Sequence, residues 1–174
     1  MNAEIVSGTV NSVSDAVQWL MYTYLYVRMI RNPVAYGIKY DESREDPSLR
    51  DHCSALIRTA ARKLDHARMI RFNSDTGSLG VTDLGRMASH FYICHGSIEV
   101  FNDILLPHMS DAELFAAVSR SKEFDNIRIR QEETSELKTI LRQHCQVEVS
   151  DAIDSPYGKV NVLLQVHIRR CAKK

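Results

Sequence analysis

Two histidines and a cysteine close together in the sequence are its nearest approach to a metal site. His90 and Cys94 are four residues apart, a spacing that places two side chains on one face of a helix, and His95 follows directly. A structural zinc site needs about four ligands at recognisable spacing, and no second pair of ligands lies nearby in the sequence. The sequence therefore predicts no metal ligands here, and we interpret the three side chains as half-buried residues of one short helix.

Patterns for nucleophilic catalysis and for phosphate binding are also missing from the sequence. No serine lies in the GxSxG pattern that exposes a nucleophile at a sharp turn. His52 and Cys53 are adjacent, and adjacent side chains on a helix point apart. The glycines form neither GxGxxG nor GxxxxGK[ST], since Gly158-Lys159 lacks both the upstream glycine and the following hydroxyl. We therefore expect no catalytic residue and no cofactor in this segment.

Basic residues are the remaining candidates for contact with a partner. Arg58 and Arg62 are one helical turn apart on a predicted helix that precedes a predicted hairpin, and such an element can approach a nucleic-acid backbone. Arg128 and Arg130 alternate with isoleucines, as in an extended segment with its cations on one side. Contact with nucleic acid, contact with a neighbouring domain and simple exposure to solvent all stay open for these arginines.

Composition limits the strength of any contact made by charge alone. Lys plus Arg and Asp plus Glu are both 22 in the 174 residues, so the formal net charge is zero, whereas binding to phosphates scales with the number of cations.

No apolar run reaches the roughly 18 residues of a membrane span. The four cysteines are widely separated, which is typical of reduced thiols. These features predict an intracellular globular chain of one domain or two small ones, without membrane contact.

The first half of the chain reads as long helices followed by a hairpin. Apolar residues at helical spacing predict one helix over residues 14–30, which Asn32-Pro33 ends. Residues 33–46 are predicted to form a loop, and Asp46-Pro47 predicts the start of a second helix. Two short apolar runs, at residues 69–72 and 79–81, flank a turn that contains Gly77 and predict two paired strands.

The second half reads as helices joined by short connections. Phe91 and Tyr92 are predicted to belong to the buried face of the first of these helices. Residues 123–129 are predicted to be extended. The fold class is therefore mainly α, with a winged-helix domain and its small β-hairpin over residues 1–96 and a helical bundle over residues 97–174. The predicted helix starts are Thr82, Ser97, Ser110, Glu132 and Ser155-Pro156.

Four blocks of sequence, spread over nearly the whole chain, together carry a family resemblance. They are NAEIVSGTV…DAVQWLMYTYLYVRMIRNPVAYGI, VTDLGRMASHFYICHGSIEVFN, SRSKEFDNIRIRQEE and YGKVNVLLQVHI. The first two resemble the start and end of the winged-helix domain of the double-cassette superfamily-two helicases. The other two are similar to the first part of the helical (Sec-sixty-three-homology) domain that comes after it in that family, and the blocks occur here in the family's order.

The resemblance implies a non-catalytic accessory segment of an ATP-dependent helicase, which braces the ATPase core and couples it to strand separation. The alternative is a free-standing winged-helix module that binds a protein partner or, weakly, nucleic acid. The implied partners are the ATPase domains of a parent helicase, proteins of a helicase complex, and DNA or RNA, in the nucleus or the cytosol. ATP and Mg are expected only in the parent helicase.

Only scaffold positions carry over from the family, because its catalytic motifs have no counterpart here. Their implied role is to pack the winged helix against the ATPase core and the helical domain. Family members continue upstream of Met1, and their helical domain continues beyond residue 174. The resemblance therefore implies that the helical bundle over residues 97–174 is truncated, and that the chain is a fragment, a short isoform or a truncated gene model. The positions carried over are Tyr26, Arg28, Asn32, Pro33, Leu84, Gly85 and Arg130.

Overall fold

The computed structural model describes residues 1–171, and helices dominate it. The described residues form two compact units, Met1–Tyr92 and a second one that begins at Ile93. The predicted mainly α fold class with one small hairpin is confirmed. The domain boundary predicted between residues 96 and 97 stays a prediction, and residues 172–174 at the end of the predicted helical domain lie outside the described residues.

The helices and strands of the described residues have these bounds. The helices are α1 (Asn2–Val6), α2 (Val13–Met21), α3 (Tyr24–Arg31), α4 (Tyr40–Glu45), α5 (Arg50–His66), α6 (Asp83–His90), α7 (His95–Ile104), α8 (Asp111–Ser119), α9 (Thr134–His144) and α10 (Pro156–Cys171). The strands are β1 (Ile70–Phe72) and β2 (Leu79–Val81).

A threonine divides the single helix predicted over residues 14–30 into α2 and α3. The Thr23 hydroxyl donates to the carbonyl oxygen of Leu20, 2.7 Å away, at the end of α2. The same oxygen accepts the backbone N–H of Tyr26 at 3.4 Å and so caps the start of α3. The prediction of one continuous helix was wrong, because a threonine side chain can satisfy both helix ends without interrupting the apolar spacing.

The helix predicted to start at Asp46-Pro47 begins later, at Arg50. Leu49 precedes it in the left-handed region, with φ of 50°. The Asp46 carboxylate nevertheless accepts the backbone N–H of Asp51 at 2.9 Å, and a hydrogen bond from the Ser48 hydroxyl is the main cause of the lowered pKa of Asp46. Asp46 thus caps α5 from outside the helix. The preceding segment, predicted as a loop, contains α4 and a 3₁₀ turn over Pro33–Tyr36.

The predicted hairpin is confirmed as an antiparallel pair of strands. Its register pairs Ile70 with Val81 and Phe72 with Leu79. Gly77 in the connecting turn has φ of 72°, a conformation that glycine adopts without strain. The turn is also joined to α2, because the N–H of Val13 donates to the Gly77 carbonyl oxygen at 2.8 Å.

Both edges of the hairpin are occupied by other parts of the first unit. On β2, the Leu79 N–H donates to the carbonyl oxygen of Asn11 at 2.8 Å. On β1, the Phe72 N–H donates to the carboxylate of Asp65 at 2.9 Å. The hairpin is therefore fixed to the rest of the unit by backbone and side-chain hydrogen bonds as well as by packing.

The core of the first unit is a continuous cluster of apolar side chains. One side of α5 contributes Cys53, Ile57 and Ala61, each less than 4% exposed. Burial raises the pKa of the Cys53 thiol. Gly85 lies so close to the backbone that a Cβ atom there would overlap the carbonyl oxygen of Met69, which keeps α6 against the entry to β1. The other buried members of the cluster are Ile5, Val10, Val13, Ala16, Val17, Leu20, Met29, Ile38, Leu49, Ile70 and Leu79.

The junction of α6 and α7 differs from its prediction. Helix α6 is capped by Thr82 as predicted, but it ends at His90 and leaves Phe91 65% and Tyr92 91% exposed. Helix α7 begins at His95, so Ser97 is a fully buried residue of its first turn and not its cap. The burial predicted for Phe91 and Tyr92 was therefore wrong.

The second unit confirms two predicted helix starts and corrects one predicted segment. Ser110 and Glu113 form a reciprocal capping box at the start of α8, and α10 begins at Pro156. A Cβ atom on Gly158 would overlap the carbonyl oxygen of Ala152, so the first turn of α10 lies directly against the preceding segment. The segment predicted to be extended over residues 123–129 instead begins in a 3₁₀ turn, Lys122–Phe124.

Candidate interaction surfaces

The described residues hold no cluster of three or more His, Cys, Asp or Glu side chains suited to a metal ion. His90 is the last residue of α6, whereas Cys94 precedes α7, so the two do not share the short helix predicted for them. None of the helices described is both long enough and apolar enough to cross a bilayer. The functional candidates are therefore surfaces.

The two arginines of α5 that were predicted as contact residues have different surroundings. Arg58 is half-buried, and its Nη1 donates to the carbonyl oxygen of Ser74 in the hairpin turn at 3.1 Å. Arg62, one helical turn further along, is exposed. Arg58 therefore supports the hairpin turn as well as facing outward, whereas Arg62 presents its charge to solvent.

A groove, here called the α2–α5 groove, runs between α2, α5 and the hairpin turn. Its volume is about 980 Å³. Sequence reasoning found Arg58 but missed the rest of this surface, since the pairing of α2 with α5 depends on the fold. The residues that line the groove include Val13, Ser14, Val17, Gln18, Met21, Tyr22, Arg50, Asp51, Ser54 and Arg58.

The α3 surface is unusually apolar for an exposed helix. Met29 is its one fully buried residue, and Tyr24 is 75% exposed. Arg28 lies on this helix with its guanidinium carbon 5.9 Å from the centre of the Tyr24 ring. We call the exposed apolar side chains of this helix and its flanks the α3 face. They are Tyr24, Leu25, Val27, Ile30 and Val34.

Arg128 and Arg130 lie in a segment that one lysine holds in place. Lys159 of α10 donates from Nζ to the carbonyl oxygen of Arg128 at 2.9 Å and to the carboxylate of Glu133. The hydrogen bond from Lys159 is the main reason why the pKa of Glu133 is lowered. Both arginine side chains are exposed, and Arg130 also approaches Glu133, with 3.9 Å between Nε and Oε1.

A second polar node fixes the start of α7. The Glu123 carboxylate accepts the hydroxyl of Ser97 and, at 2.8 Å, the backbone N–H of Cys94. The Ser97 oxygen in turn accepts the N–H of Lys122 at 2.8 Å. Burial alone would raise the pKa of Glu123, but the hydrogen bonds from Ser97 and Cys94 together lower it. This node has a structural role, because its groups are engaged with one another.

The second unit also has an open apolar groove between α8 and α10. Its volume is about 260 Å³. Leu114 and Val118 line one side, and Leu164 and Ile168 line the other. Ile168 is 51% exposed, so this apolar side of α10 is only partly covered.

Comparison with known proteins assigns both parts of the chain. Residues 81–173 match the Sec63 Brl domain, and residues 1–74 match a winged helix-turn-helix domain. Activating signal cointegrator 1 complex subunit 3 of Homo sapiens is 48% identical over 170 residues, which are 98% of this chain and 8% of that protein.

Two further relatives are helicases by name. The DExH-box ATP-dependent RNA helicase DExH14 of Arabidopsis thaliana is 46% identical over 170 residues, 98% of this chain. The U5 small nuclear ribonucleoprotein 200 kDa helicase of Homo sapiens is 44% identical over 168 residues, 97% of this chain. The chain spans 8% of the length of each of these relatives. The resemblance read from the four sequence blocks is thereby confirmed, and the chain belongs to the Sec63 Brl domain family, with a winged helix-turn-helix domain preceding that domain.

Proposed function

We propose that the chain is a non-catalytic accessory segment of an ATP-dependent nucleic-acid helicase. It braces the ATPase core and transmits the movement of that core to strand separation. The ATPase domains of the parent helicase are its principal partner, and DNA or RNA and ATP with Mg are bound by the parent. The proposal places the chain in the nucleus or the cytosol. Its starting point is the similarity of nearly the whole chain to proteins named as helicases.

The observation that carries the bracing role is the α3 face. Exposed aromatic and branched aliphatic side chains concentrated on one short helix and the turn after it are unusual for a surface that only meets water, and apolar patches mark protein interfaces. The helix under the patch is held firmly. Met29 is buried in the core, and the Tyr26 hydroxyl donates to the carbonyl oxygen of Ser48 at 2.9 Å. A rigidly anchored apolar surface suits a brace.

Arg28, Arg128 and Arg130 fit the same role as polar contacts at domain interfaces. Arg28 lies within the α3 face, beside Tyr24. Arg128 and Arg130 project from the segment that Lys159 fixes. Each would form ion pairs at the edge of an apolar interface, where charges contribute more to specificity than to affinity.

A complementation experiment tests the proposal. The ATPase core of a related helicase is prepared without the segment that corresponds to this chain and is mixed with the 174-residue chain. Binding between the two, ATP hydrolysis and duplex unwinding are then measured. We expect the chain to bind the ATPase core and to raise its rate of duplex unwinding. The isolated chain should hydrolyse ATP only at the background rate. No binding to the core, or ATP turnover by the chain itself, would contradict the proposal.

A pair of matched variants assigns the contact to the α3 face. Leu25→Glu places a charge within the face, and Leu106→Glu places the same charge on an exposed leucine of the second unit. We expect Leu25→Glu to weaken binding to the core at least about tenfold, because a carboxylate would have to lose water in an apolar interface. Leu106→Glu should leave binding unchanged, and equal effects of both variants would remove the α3 face from the proposal.

A second candidate function is that of an interaction module that binds a protein partner or, weakly, nucleic acid. The α2–α5 groove favours it, because the groove is large and carries two arginines. The two candidates use different surfaces of the first unit and are therefore compatible.

A further inference from the structure

The α2–α5 groove has two walls with the same spacing of hydrogen-bonding side chains. Ser14, Gln18 and Tyr22 follow one another at four-residue intervals along α2 and its end. Arg50, Ser54 and Arg58 do the same along α5. Four residues of helix advance by about 6 Å, so each wall presents a polar group roughly every 6 Å.

This interval matches the repeat of an extended polypeptide. Alternate residues of a strand are about 6.6 Å apart, which is twice the rise per residue. An extended peptide lying along the groove would therefore meet a hydroxyl, amide or guanidinium group at nearly every second residue. The match holds for the length of about two helical turns, or roughly four peptide residues, before the two repeats drift apart.

The floor of the groove suits side chains and not a sugar–phosphate backbone. Val13 and Val17 are buried core residues that also line the groove, and Met21 lines it beside them. An extended peptide points every second side chain to the same side, so apolar residues at alternate positions would contact this floor. Methionine adapts readily to side chains of different shape.

The charge of the groove favours carboxylates over phosphodiesters. Arg50 and Arg58 are partly offset by Asp51, the acidic residue among the lining residues. Binding to a phosphate backbone depends on the number of cations, and two guanidinium groups beside a carboxylate supply few. One donor of Arg58 is used by Ser74, and a guanidinium group has five. The remaining donors suit a carboxylate, which arginine binds with two parallel hydrogen bonds.

We propose that the α2–α5 groove binds an extended peptide segment in which apolar and acidic residues alternate. The apolar side chains contact the floor of the groove. The carboxylates point to the opposite side of the strand, where the long side chains of the exposed Arg50 and the half-buried Arg58 reach them. This inference rests on the second candidate function and names its partner class. It is independent of the bracing role. The complementation experiment tests binding of the ATPase core at the α3 face, whereas a peptide-binding experiment tests the groove.

The test is a fluorescence anisotropy titration of the full 174-residue chain. The probe is a fluorescein-labelled peptide of alternating leucine and glutamate, and the matched control peptide has glutamine in place of each glutamate. A labelled oligouridylate of similar length is the nucleic-acid probe. We expect the acidic peptide to bind, and the glutamine peptide and the oligouridylate to bind at least about tenfold more weakly.

Three arginine variants assign the binding to the groove. Arg50→Gln and Arg58→Gln should each weaken binding of the acidic peptide by about tenfold, the loss expected for a charge-assisted hydrogen bond. Arg62→Gln removes the same charge from α5 outside the groove and should change binding less than about twofold. Arg50→Gln keeps the test valid if Arg58→Gln loosens the hairpin turn, since Arg50 lies at the other end of the groove wall.

Each other result overturns the proposal. Absence of binding by the acidic peptide, equal binding of the glutamine peptide, or equal losses in all three variants would exclude a groove that recognises carboxylates. Tighter binding of oligouridylate, lost in Arg50→Gln and Arg58→Gln, would make the groove a nucleic-acid site.

Discussion

The two units of the chain are stabilised in different ways. The first buries a large aliphatic cluster, and the polar residues that it contains lie mainly at its surface. The second buries few large apolar side chains, among them Ile98, Leu137 and Val160. Instead, polar residues occupy its interior, and they are Ser97, Ser119, Ser121, Asn161 and Gln165.

This difference determines how much the stability of each unit depends on individual contacts. Apolar burial is non-directional, so no single contact in the core of the first unit requires one particular partner atom. Buried polar groups need their partners, and losing one partner leaves another group unsatisfied. In the second unit, the Gln165 side chain donates to the carbonyl oxygen of Val147 and accepts its N–H, both at 3.1 Å. The second unit is therefore held by a few directional contacts that depend on single residues.

The largest expected effect comes from two glycines, one in each unit. Gly85→Ala would force α6 away from Met69, and Gly158→Ala would force α10 away from Ala152. Because the obstructing atoms are backbone, each variant should lose about 4 kcal/mol or more of unfolding free energy. Fluorescence of Trp19, the single tryptophan of the chain, reports the first unit, and hydrogen exchange in α10 reports the second.

The glycine variants also test whether the units are independent. If Gly85→Ala alters Trp19 fluorescence while α10 keeps its protection, the units are stabilised separately, as their separate cores suggest. Loss of both signals in each variant would contradict this view. Gly80→Ala is the control, since a Cβ atom there would make ordinary contacts with Arg71.

An intermediate effect is expected from one core residue in each unit. Ile57→Ala leaves a cavity in the aliphatic cluster and should cost about 3 kcal/mol of unfolding free energy. Gln165→Leu keeps the volume but leaves both backbone groups of Val147 unsatisfied, and should cost about 2 kcal/mol. Denaturant unfolding measures both. A neutral Gln165→Leu would show that packing, and not the hydrogen bonds, supports the second unit.

The smallest expected effect is a difference in acid sensitivity. Hydrogen bonds lower the pKa of Glu113, Glu123 and Glu133 in the second unit below the ordinary 4.5. Their stabilising contribution is therefore complete above about pH 4.5 and is lost as the pH falls through the lowered values. In the first unit, the pKa of Asp46 is lowered from its ordinary 3.8, mainly by the hydrogen bond from the Ser48 hydroxyl. The stabilising contribution of Asp46 therefore begins to be lost at a lower pH than that of the three glutamates.

The measurement is hydrogen exchange in α10 against Trp19 fluorescence during acidification. We expect protection of α10 to decline first, and Glu123→Gln to make that decline smaller, because one of the three carboxyl groups no longer titrates. A change in Trp19 fluorescence at a higher pH than the loss of α10 protection would contradict this prediction, because the first unit would then be the more acid-sensitive one.

Local signals made parts of the fold predictable from sequence. The hairpin was found because its strands and its Gly77 turn lie within a short stretch, and the start of α8 because Ser110-Asp111 is a local helix-start signal. The division at Thr23 was missed because the apolar spacing continues through it. Phe91 and Tyr92 were placed in the core because they are large and apolar, although the helix ends before them.

The candidate surfaces were less predictable, because they combine distant residues. Arg58 and Arg62 are equivalent by helical spacing, and only the position of the hairpin turn distinguishes them. The groove needs α2 beside α5, which is a tertiary fact. Nothing in the sequence indicated that Lys159 fixes the segment of Arg128 and Glu133, because these two partners precede it by 31 and 26 residues.

The bond between Asp65 and Phe72 has a consequence for the behaviour of the chain at high concentration. An outer strand with unused N–H groups invites a strand from another molecule to add to it, which is the first step toward fibrils. Here the N–H of Phe72 already donates to the Asp65 carboxylate, which also places a negative charge at the edge of the sheet. The hairpin is thereby protected from growing into a larger intermolecular sheet.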